Sequence, residues 1–151
     1  MIQPLPGTDA TAFSLSQRCF AELRRIYVPV RKARREKYAD NGRWQWFGYV
    51  LDACLIAVVE AKYEGTELHL STLAVEKKYR RKGIARKLID GVIANYPKAQ
   101  SVSLWCVAQT GNIEIFEALG FSVCQVVTSE LFELTDGAEA TEVQLRRMIT
   151  T

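Results

Sequence analysis

The chain has 151 residues, a hydrophobic fraction of 48% and a formal net charge of +3, which fits one globular domain with a single core. No apolar run approaches the ~20 residues of a membrane-spanning helix, and the N-terminus lacks the regions of a secretory signal, so we expect a cytoplasmic protein without membrane contact. Four cysteines without C-x-x-C spacing and a single histidine argue against a metal site and a disulfide framework. We therefore expect no metal, and buried thiols in a reducing compartment.

Positive charge is concentrated in the N-terminal part of the chain. Residues 1–43 hold nine Lys or Arg and four Asp or Glu. Such a run is most often the solvated face of a helix. No stacking platform or base-reading motif accompanies it, so we expect no nucleic-acid partner.

The first forty residues show mainly helical patterns. Residues 1–10 carry only a weak strand pattern or none. An apolar stripe predicts a helix from Ser14 to Tyr27, where Ser14 and Gln17 have the spacing of a capping box. A shorter basic helix is predicted from Arg31 to Ala39.

Strand-like runs dominate the rest of the chain. Three runs with short turns predict antiparallel neighbours at residues 44–51, 54–63 and 67–75. A helix over 84–96 then leads to a strand at 101–108, and this passage predicts parallel pairing of 68–75 with 102–108. A short helix at 112–119 and strands at 122–134 and 142–149 follow, the last as an edge strand.

The stretch from Leu68 to Leu88 combines a buried strand, a basic loop and the start of a helix. The first turn of a helix has N–H groups without internal partners, and the helix dipole favours negative charge there. Gly83 lets a phosphate approach the backbone. The stretch therefore predicts a phosphate cradle, and the alternative is a basic, solvated helix start. It contains neither G-x-x-x-x-G-K-[ST] nor G-x-G-x-x-G.

The loop from Arg80 to Ala85 reads R-x-x-G-x-A and follows a strand that ends in Leu73-Ala74-Val75. It resembles the acyl-CoA loop of the GNAT acetyltransferase superfamily, [QR]-x-x-G-x-[GA]. A second family segment, a short helix ending in Gly-Phe, occurs at Gly120-Phe121, and the resemblance covers roughly residues 44–149. It implies a single GNAT domain over residues 1–151, with an α/β (α+β) fold in which a mixed central sheet carries helices on both faces.

The resemblance also implies acetyl-CoA as co-substrate, held between two strands that splay apart. The strand ending in Val75 would pair with the pantetheine arm, and the Leu73 N–H would polarise the thioester carbonyl. Backbone N–H groups of the loop would hold the pyrophosphate. The implied acyl-CoA residues are Leu73, Ala74, Val75, Arg80, Arg81, Lys82, Gly83, Ile84, Ala85, Gln109 and Phe116.

His69 is the candidate general base. An amine of the lysine type has a pKa of ~10.4 and must lose a proton before it attacks, and histidine can accept that proton near neutral pH. By the resemblance, His69 falls where histone-type members carry a basic glutamate. The alternative is a polar residue on a strand face, and Glu67, on the same face, is the substitute catalytic candidate.

Two positions depart from the family pattern. Phe116 stands where many members carry a tyrosine that protonates the leaving thiolate, and Gln109 stands where the usual residue is asparagine. Cys106 and Ser129 are conceivable replacement acids. Two functions therefore stay open: an acetyl-CoA-dependent N-acetyltransferase that acts on a primary amine by direct transfer in a ternary complex, or a catalytically weak acyl-CoA-binding sensor module.

The acceptor is expected to be a small-molecule or peptide amine. The resemblance places its site between residues 27–46 and 127–140. It is also compatible with a homodimer.

Overall fold

The computed structural model describes residues 1–30 and 44–149. In these ranges the strands are β1 (Ile2–Leu5), β2 (Tyr27–Pro29), β3 (Gln45–Leu51), β4 (Cys54–Glu64), β5 (Glu67–Val75), β6 (Ser101–Val107), β7 (Ser122–Leu134) and β8 (Glu139–Met148). The α-helices are α1 (Ala10–Leu23), α2 (Ile84–Ala94) and α3 (Asn112–Ala118). The strands form one sheet in the order β1-β3-β4-β5-β6-β8-β7-β2.

The sheet is mixed. Its paired strands run antiparallel, except that β5 and β6 are parallel and joined by α2. A strand–helix–strand passage of this kind gives parallel neighbours because the helix carries the chain back to the starting end of the sheet. The mixed α/β fold predicted from the sequence is confirmed.

Helices cover both faces of the sheet. The apolar stripe of α2, including Leu88 and Val92, packs into the main core against Leu68 and Val102. Each fully buried leucine or valine of this kind contributes about 1.5–3 kcal/mol through removal of apolar surface from water. On the opposite face α1 packs against β4 and β5. None of the described helices has the length and apolarity that crossing a membrane requires.

The first strand is present, although the sequence pattern of residues 1–10 predicted it only weakly or not at all. Strand β1 pairs antiparallel with β3, from Ile2 opposite Tyr49 to Leu5 opposite Trp46. It lies at the edge of the sheet, where a proline such as Pro4 is tolerated because one side of the strand has no hydrogen-bonding neighbour. The expectation failed because four residues with a proline carry little strand signal of their own.

Helix α1 begins at Ala10, four residues before the predicted start. The side chain of Asp9 accepts a hydrogen bond from the Ala12 N–H at 2.8 Å and caps the helix. Ser14 instead accepts from Arg18 one turn later, so the predicted capping box does not form. The helix ends at Leu23, and residues 27–29 form β2. The predicted basic helix over 31–39 lies outside the described residues.

Strand β8 is interior and lies between β6 and β7, so the predicted edge position is wrong. Its Val143 and Leu145 enter the core, while Gln144 and Arg146 stay half-exposed on the other face. That alternation is equally typical of an edge strand, which explains the error.

The thiols are less buried than expected. Cys54 and Cys124 are exposed, and Cys19 and Cys106 are half-buried. All four are free thiols.

Candidate functional site

The strands β5 and β6 separate halfway along their length. They pair from Glu67 opposite Ser101 to Leu70 opposite Leu104, and no further. Beyond that point β5 stays with β4 and β6 stays with β8. The predicted pairing over 68–75 and 102–108 is therefore too long, whereas the splayed strands implied by the resemblance are present. We call this separation the fork.

A bulge in β5 lies at the fork. Ser71 is opposite Glu60 and Ala74 is opposite Val58, so Thr72 and Leu73 have no register partner in β4 or β6. Thr72 has a φ of +58°, in the left-handed region that a β-branched residue rarely adopts. A bulge bends its strand and increases the local twist. Thr72 thus marks where β5 turns away from β6.

A cleft of about 100 Å³ opens at the fork. Its apolar walls come from α1, β2, β5, β6 and α3, and they comprise Phe20, Leu23, Tyr27, Leu70, Leu73, Leu104, Trp105, Cys106, Val107 and Phe116. The polar lining residues are Ser71, Thr72, Thr110 and Asn112. The described lining therefore offers hydroxyl, amide and apolar groups, and no ionised side chain.

The basic loop leads from β5 into α2, as the sequence predicted. Gly83 precedes the first helical residue, Ile84, and no side chain caps this end of the helix. Gly83 has a φ of +77°, and a Cβ built on it would meet no atom within 4 Å. Arg81 and Lys82 are exposed beside it. The first turn of α2 is thus open towards solvent and flanked by cations, an arrangement suited to an anion.

Arg80 is engaged with the body of the protein. Its Nε donates to the Val75 carbonyl at 2.9 Å, and its Nη1 donates to the Glu22 carboxylate at 3.3 Å. These two bonds tie the start of the loop to β5 and α1. Arg80 therefore fixes the loop's position, while Arg81 and Lys82 face solvent.

His69 and Glu67 belong to a group of four polar side chains that we call the polar cluster: Glu67, His69, Ser103 and Arg146. Ser103 Oγ lies 3.2 Å from His69 Nδ1, and Arg146 Nε donates to Glu67 Oε1 at 2.8 Å. Glu67 Oε2 is 3.9 Å from His69 Nε2. The cluster occupies the sheet face opposite α2, since Glu67 and His69 alternate with residues of the main core.

The polar cluster borders the cleft without lining it. His69 precedes the last paired residue of β5, Leu70. Ser71, two residues further on the same strand face, does line the cleft. Two strand residues span roughly 7 Å, which sets the scale of the separation between His69 and the cleft lining.

Glu67 is poorly suited to accept a proton at neutral pH. Partial burial favours its neutral form, but the Arg146 guanidinium, which donates to Oε1 at 2.8 Å, outweighs burial and lowers the pKa of this carboxyl. A carboxylate with a lowered pKa is a weaker base. Glu67 therefore suits holding and orienting its neighbours better than proton transfer.

The remaining predicted residues have distinct surroundings. Phe116 lines the cleft, with its ring edge-on to Phe121 at a centroid distance of 6.2 Å. Gln109 accepts from the Thr141 N–H at 3.2 Å and ties the end of β6 to β8. Ser129 accepts from the Leu131 and Phe132 N–H groups, and it is not among the lining residues.

Cys106 lines the cleft, but it is a poor acid. Burial raises the pKa of its thiol to about 11. An ordinary thiolate has a pKa of about 8.5, so transfer of the Cys106 proton to a departing thiolate would be uphill. The structure thus gives no support to Cys106 as the replacement acid.

Glu60 is a site feature that the sequence reading missed. It lies opposite Ser71, is only 4% exposed, and accepts from the Thr72 hydroxyl at 3.4 Å. This hydrogen bond from the neighbouring strand β4 therefore stabilises the bulged part of β5. A carboxylate directly after six apolar residues, 54–59, was the available signal, because charged residues are rarely buried without a specific role.

Known proteins identify the family. The family model described as "Acetyltransferase (GNAT) domain" matches residues 15–132. No curated protein matches the chain. The ribosomal-protein-S18-alanine N-acetyltransferase of Escherichia coli is 24% identical, with a TM-score of 0.75 over 100% of this chain and 94% of that one.

Two further solved structures have the same fold. The aminoglycoside 6′-N-acetyltransferase of Enterococcus faecium is 14% identical, with a TM-score of 0.69 over 100% of this chain and 98% of that one. A GNAT family acetyltransferase of Elizabethkingia anophelis with acetyl-CoA bound is 13% identical, with a TM-score of 0.68 over 99% and 97%. These solved structures share the fold of this chain, and the family model spans most of its sequence. The chain belongs to the GNAT acetyltransferase family.

Proposed function

We propose that this GNAT acetyltransferase transfers the acetyl group of acetyl-CoA to a primary amine, directly and in a ternary complex, in the cytoplasm. The observation that carries the proposal is the fork, where β5 leaves β6 after Leu70 and continues into the open N-terminus of α2 at Gly83. One continuous path thus offers unpaired strand backbone for an amide-bearing arm and helix N–H groups for a pyrophosphate. The Elizabethkingia anophelis protein, solved with acetyl-CoA bound, has the same fold.

The acyl-CoA contacts follow from this path. Strand residues 73–75 would pair with the pantetheine arm, and backbone N–H groups of residues 81–85 would hold the pyrophosphate, with Arg81 and Lys82 adding positive charge. Phe116 would pack beside the thioester, since it lines the cleft. Gln109 would act indirectly, because its side chain holds the end of β6 against β8.

The proposed transfer needs a base and a polarised carbonyl. The amine nitrogen bonds to the acetyl carbon, the carbon–sulfur bond breaks, and the amine proton passes to His69 through water. The Leu73 N–H, at the bulge, would stabilise the charge that develops on the carbonyl oxygen. Water would protonate the leaving thiolate, because Phe116 has no proton to give.

The acceptor class follows from the shape and chemistry of the cleft. The neighbours include an enzyme named for a ribosomal-protein alanine and one named for aminoglycosides, so this fold accommodates both protein and small-molecule amines. The described walls are apolar and aromatic, with Tyr27 and Trp105 on the β2 and β6 sides. A small-molecule or peptide amine with an apolar portion suits these walls best.

A second candidate function rests on Phe116. If the missing tyrosine abolishes efficient turnover, the chain would bind acyl-CoA as a sensor module. Both functions require binding of acetyl-CoA, and only the acetyltransferase releases CoA in reaction with an amine.

Binding and turnover should therefore be measured together. We expect calorimetry to show acetyl-CoA binding, and thiol release against amines, polyamines, amino acids and lysine peptides to identify one acceptor class. Binding without release for every amine would favour the sensor module, and absence of binding would refute both functions.

The base is tested separately. We expect His69→Gln to keep acetyl-CoA affinity and to lower the rate near neutral pH, while Asn95→Ala, at the C-terminal end of α2, leaves both unchanged. Identical kinetics of wild type and His69→Gln across about pH 6 to 9 would remove His69 from the mechanism.

A further inference from the structure

We propose that Glu60 is a positioning residue that holds Thr72 in its left-handed conformation and so directs the Leu73 N–H into the fork. The inference rests on the proposed transfer from acetyl-CoA, in which this N–H polarises the thioester carbonyl. It gives a buried residue of β4 an indirect role in the reaction, because Glu60 acts through the backbone of β5.

The bulge adds one residue to β5. Two register pairs enclose it, Ser71 with Glu60 and Ala74 with Val58. One residue of β4 lies between these pairs, whereas two residues of β5 lie between them. The left-handed φ of Thr72, +58°, accommodates the extra residue.

The extra residue decides which way the Leu73 N–H points. The Glu76 N–H donates to the Ile56 carbonyl at 2.8 Å, so by alternation the backbone polar groups of Ala74 also face β4. Leu73 comes one residue earlier in the strand, and its N–H therefore points to the opposite edge, where the fork opens. Without the extra residue Leu73 would lie opposite Val58, in the place of Ala74, and its N–H would point to β4.

Glu60 is placed to hold Thr72 in this conformation. Its side chain accepts a hydrogen bond from the Thr72 hydroxyl at 3.4 Å, and the residue is only 4% exposed. A β-branched residue rarely has a positive φ, and such a conformation persists only where surrounding contacts maintain it. A hydrogen bond in a buried environment is stronger than one in water, so this contact is suited to that task.

The direction of the Leu73 N–H matters at one step of the proposed reaction. As the amine nitrogen bonds to the acetyl carbon, negative charge develops on the carbonyl oxygen, and this charge disappears when the carbon–sulfur bond breaks. A donor fixed beside that oxygen stabilises the charge, and removal of one such donor lowers kcat by about 10²–10³-fold. A displaced donor should cost part of this factor, so Glu60 and Thr72 should affect kcat more than CoA binding.

Substitutions of Thr72 separate its hydroxyl from its conformation. Thr72→Val keeps the shape and removes the hydroxyl, and we expect it to lower kcat by about tenfold or more while the Kd for free CoA stays within about twofold. Thr72→Gly adopts a positive φ without help, so its kcat should stay within about threefold of wild type. Thr66→Val, in the exposed turn between β4 and β5, is the matched control and should change neither quantity.

Substitutions of Glu60 test the other partner of the hydrogen bond. Glu60→Gln keeps an oxygen that accepts from Thr72, whereas Glu60→Ala removes the acceptor. We expect Glu60→Gln to retain most of kcat and Glu60→Ala to lower it as Thr72→Val does. In the Thr72→Gly background, Glu60→Ala should have little further effect on kcat, because glycine needs no partner to adopt the conformation.

Infrared difference spectroscopy tests the N–H itself and needs no acceptor amine. A stronger hydrogen bond lowers the stretching frequency of a carbonyl, and acetyl-CoA labelled with ¹³C at the carbonyl isolates that band. We expect the bound carbonyl to absorb at lower frequency in wild type than in Thr72→Val, and Thr66→Val to match wild type. Glu60→Ala supplies the same comparison if Thr72→Val does not fold.

Two results would overturn the inference. One is an equal carbonyl frequency in wild type and in a folded variant that lacks the Glu60–Thr72 hydrogen bond. The other is an equal loss of kcat in Thr72→Gly and Thr72→Val, because the conformation of residue 72 would then not be what the hydrogen bond provides.

The two proposals fail separately. Turnover without a difference in carbonyl frequency overturns the role of Glu60 alone. A difference in carbonyl frequency in a protein that acetylates no amine overturns the proposed transfer, and leaves Glu60 as a residue that orients bound acetyl-CoA.

Discussion

Replacing Gly83 with alanine tests the anion site at the start of α2. The φ of +77° costs an L-residue about 1–2 kcal/mol, offset by about 0.4–1 kcal/mol from the stiffer unfolded chain. The net loss of about 1 kcal/mol should lower Tm by about 2–4 °C in a domain of this size. The new methyl group meets no protein atom within 4 Å, so any further effect must come from a ligand.

The expected effect on affinity is much larger than the effect on stability. A methyl group in the approach of the pyrophosphate would remove at least one charge-assisted hydrogen bond, worth about 1.5–3 kcal/mol. This corresponds to roughly a ten- to hundredfold increase in the Kd for acetyl-CoA. Calorimetry with acetyl-CoA and with free CoA, beside thermal unfolding, measures both quantities.

Gly65 provides the matched control. It has a φ of +61°, a Cβ added to it would likewise meet no atom within 4 Å, and it lies in the turn between β4 and β5. Gly65→Ala should lose similar stability and keep the wild-type Kd. Equal Kd values for both variants, with both Tm values lowered, would refute the anion site at Gly83.

Three further changes test other parts of the structure. Phe116→Tyr should raise kcat in the thiol-release assay if an acid is missing, whereas an unchanged kcat would show that water suffices. Gly91→Ala should destabilise the fold by about 1–3 kcal/mol in urea unfolding, because its Cβ would overlap the Ile2 side chain, and Ile2→Ala in that background should recover part of the loss. Glu67 has a lowered pKa in the folded state, so its carboxylate adds stability above the unfolded value of about 4.3 and loses it as pH falls through the folded value. Wild type should accordingly exceed Glu67→Gln in stability near neutral pH and match it in strong acid, and a gap that is independent of pH would contradict this reasoning.

The sequence predicted the parts of the fold that depend on neighbouring residues. Strand β5, the basic loop and α2 follow one another, and each has its own local signal: an apolar run, a glycine-containing basic motif and a helical stripe. The bounds of β5 and β7 agree with the predicted runs. The family resemblance rested on the same stretch, which explains why it proved correct.

The errors concern elements that depend on distant partners. Strands β1 and β2 have four and three residues, and each contains a proline. Their conformation comes from pairing with β3 and β7, which no local pattern encodes. The choice of Asp9 over Ser14 as the N-cap has a similar origin, because both are good capping residues and tertiary packing of α1 decides between them.

The candidate site likewise contains residues that the sequence could identify and residues that depend on distant partners. Gly83 and Leu73 could be identified from a motif, and His69 from its uniqueness and position. The partners of His69 and Glu67 could not be identified, since Ser103, beside His69, comes from β6 and Arg146, which donates to Glu67, comes from β8. The bulge at Thr72 was equally hidden, because a left-handed threonine follows from strand register and has no sequence signature.

Strand β2 has a consequence for the order in which the protein assembles. It is anchored at the far end of the sheet, where the Thr135 hydroxyl donates to the Arg25 carbonyl across 110 residues of chain. Contacts of such separation form late in folding. The loop and α2 can form as soon as their own segment is synthesised, whereas the Tyr27 wall of the cleft requires β7. A chain interrupted before β7 would therefore keep the loop and lack that wall.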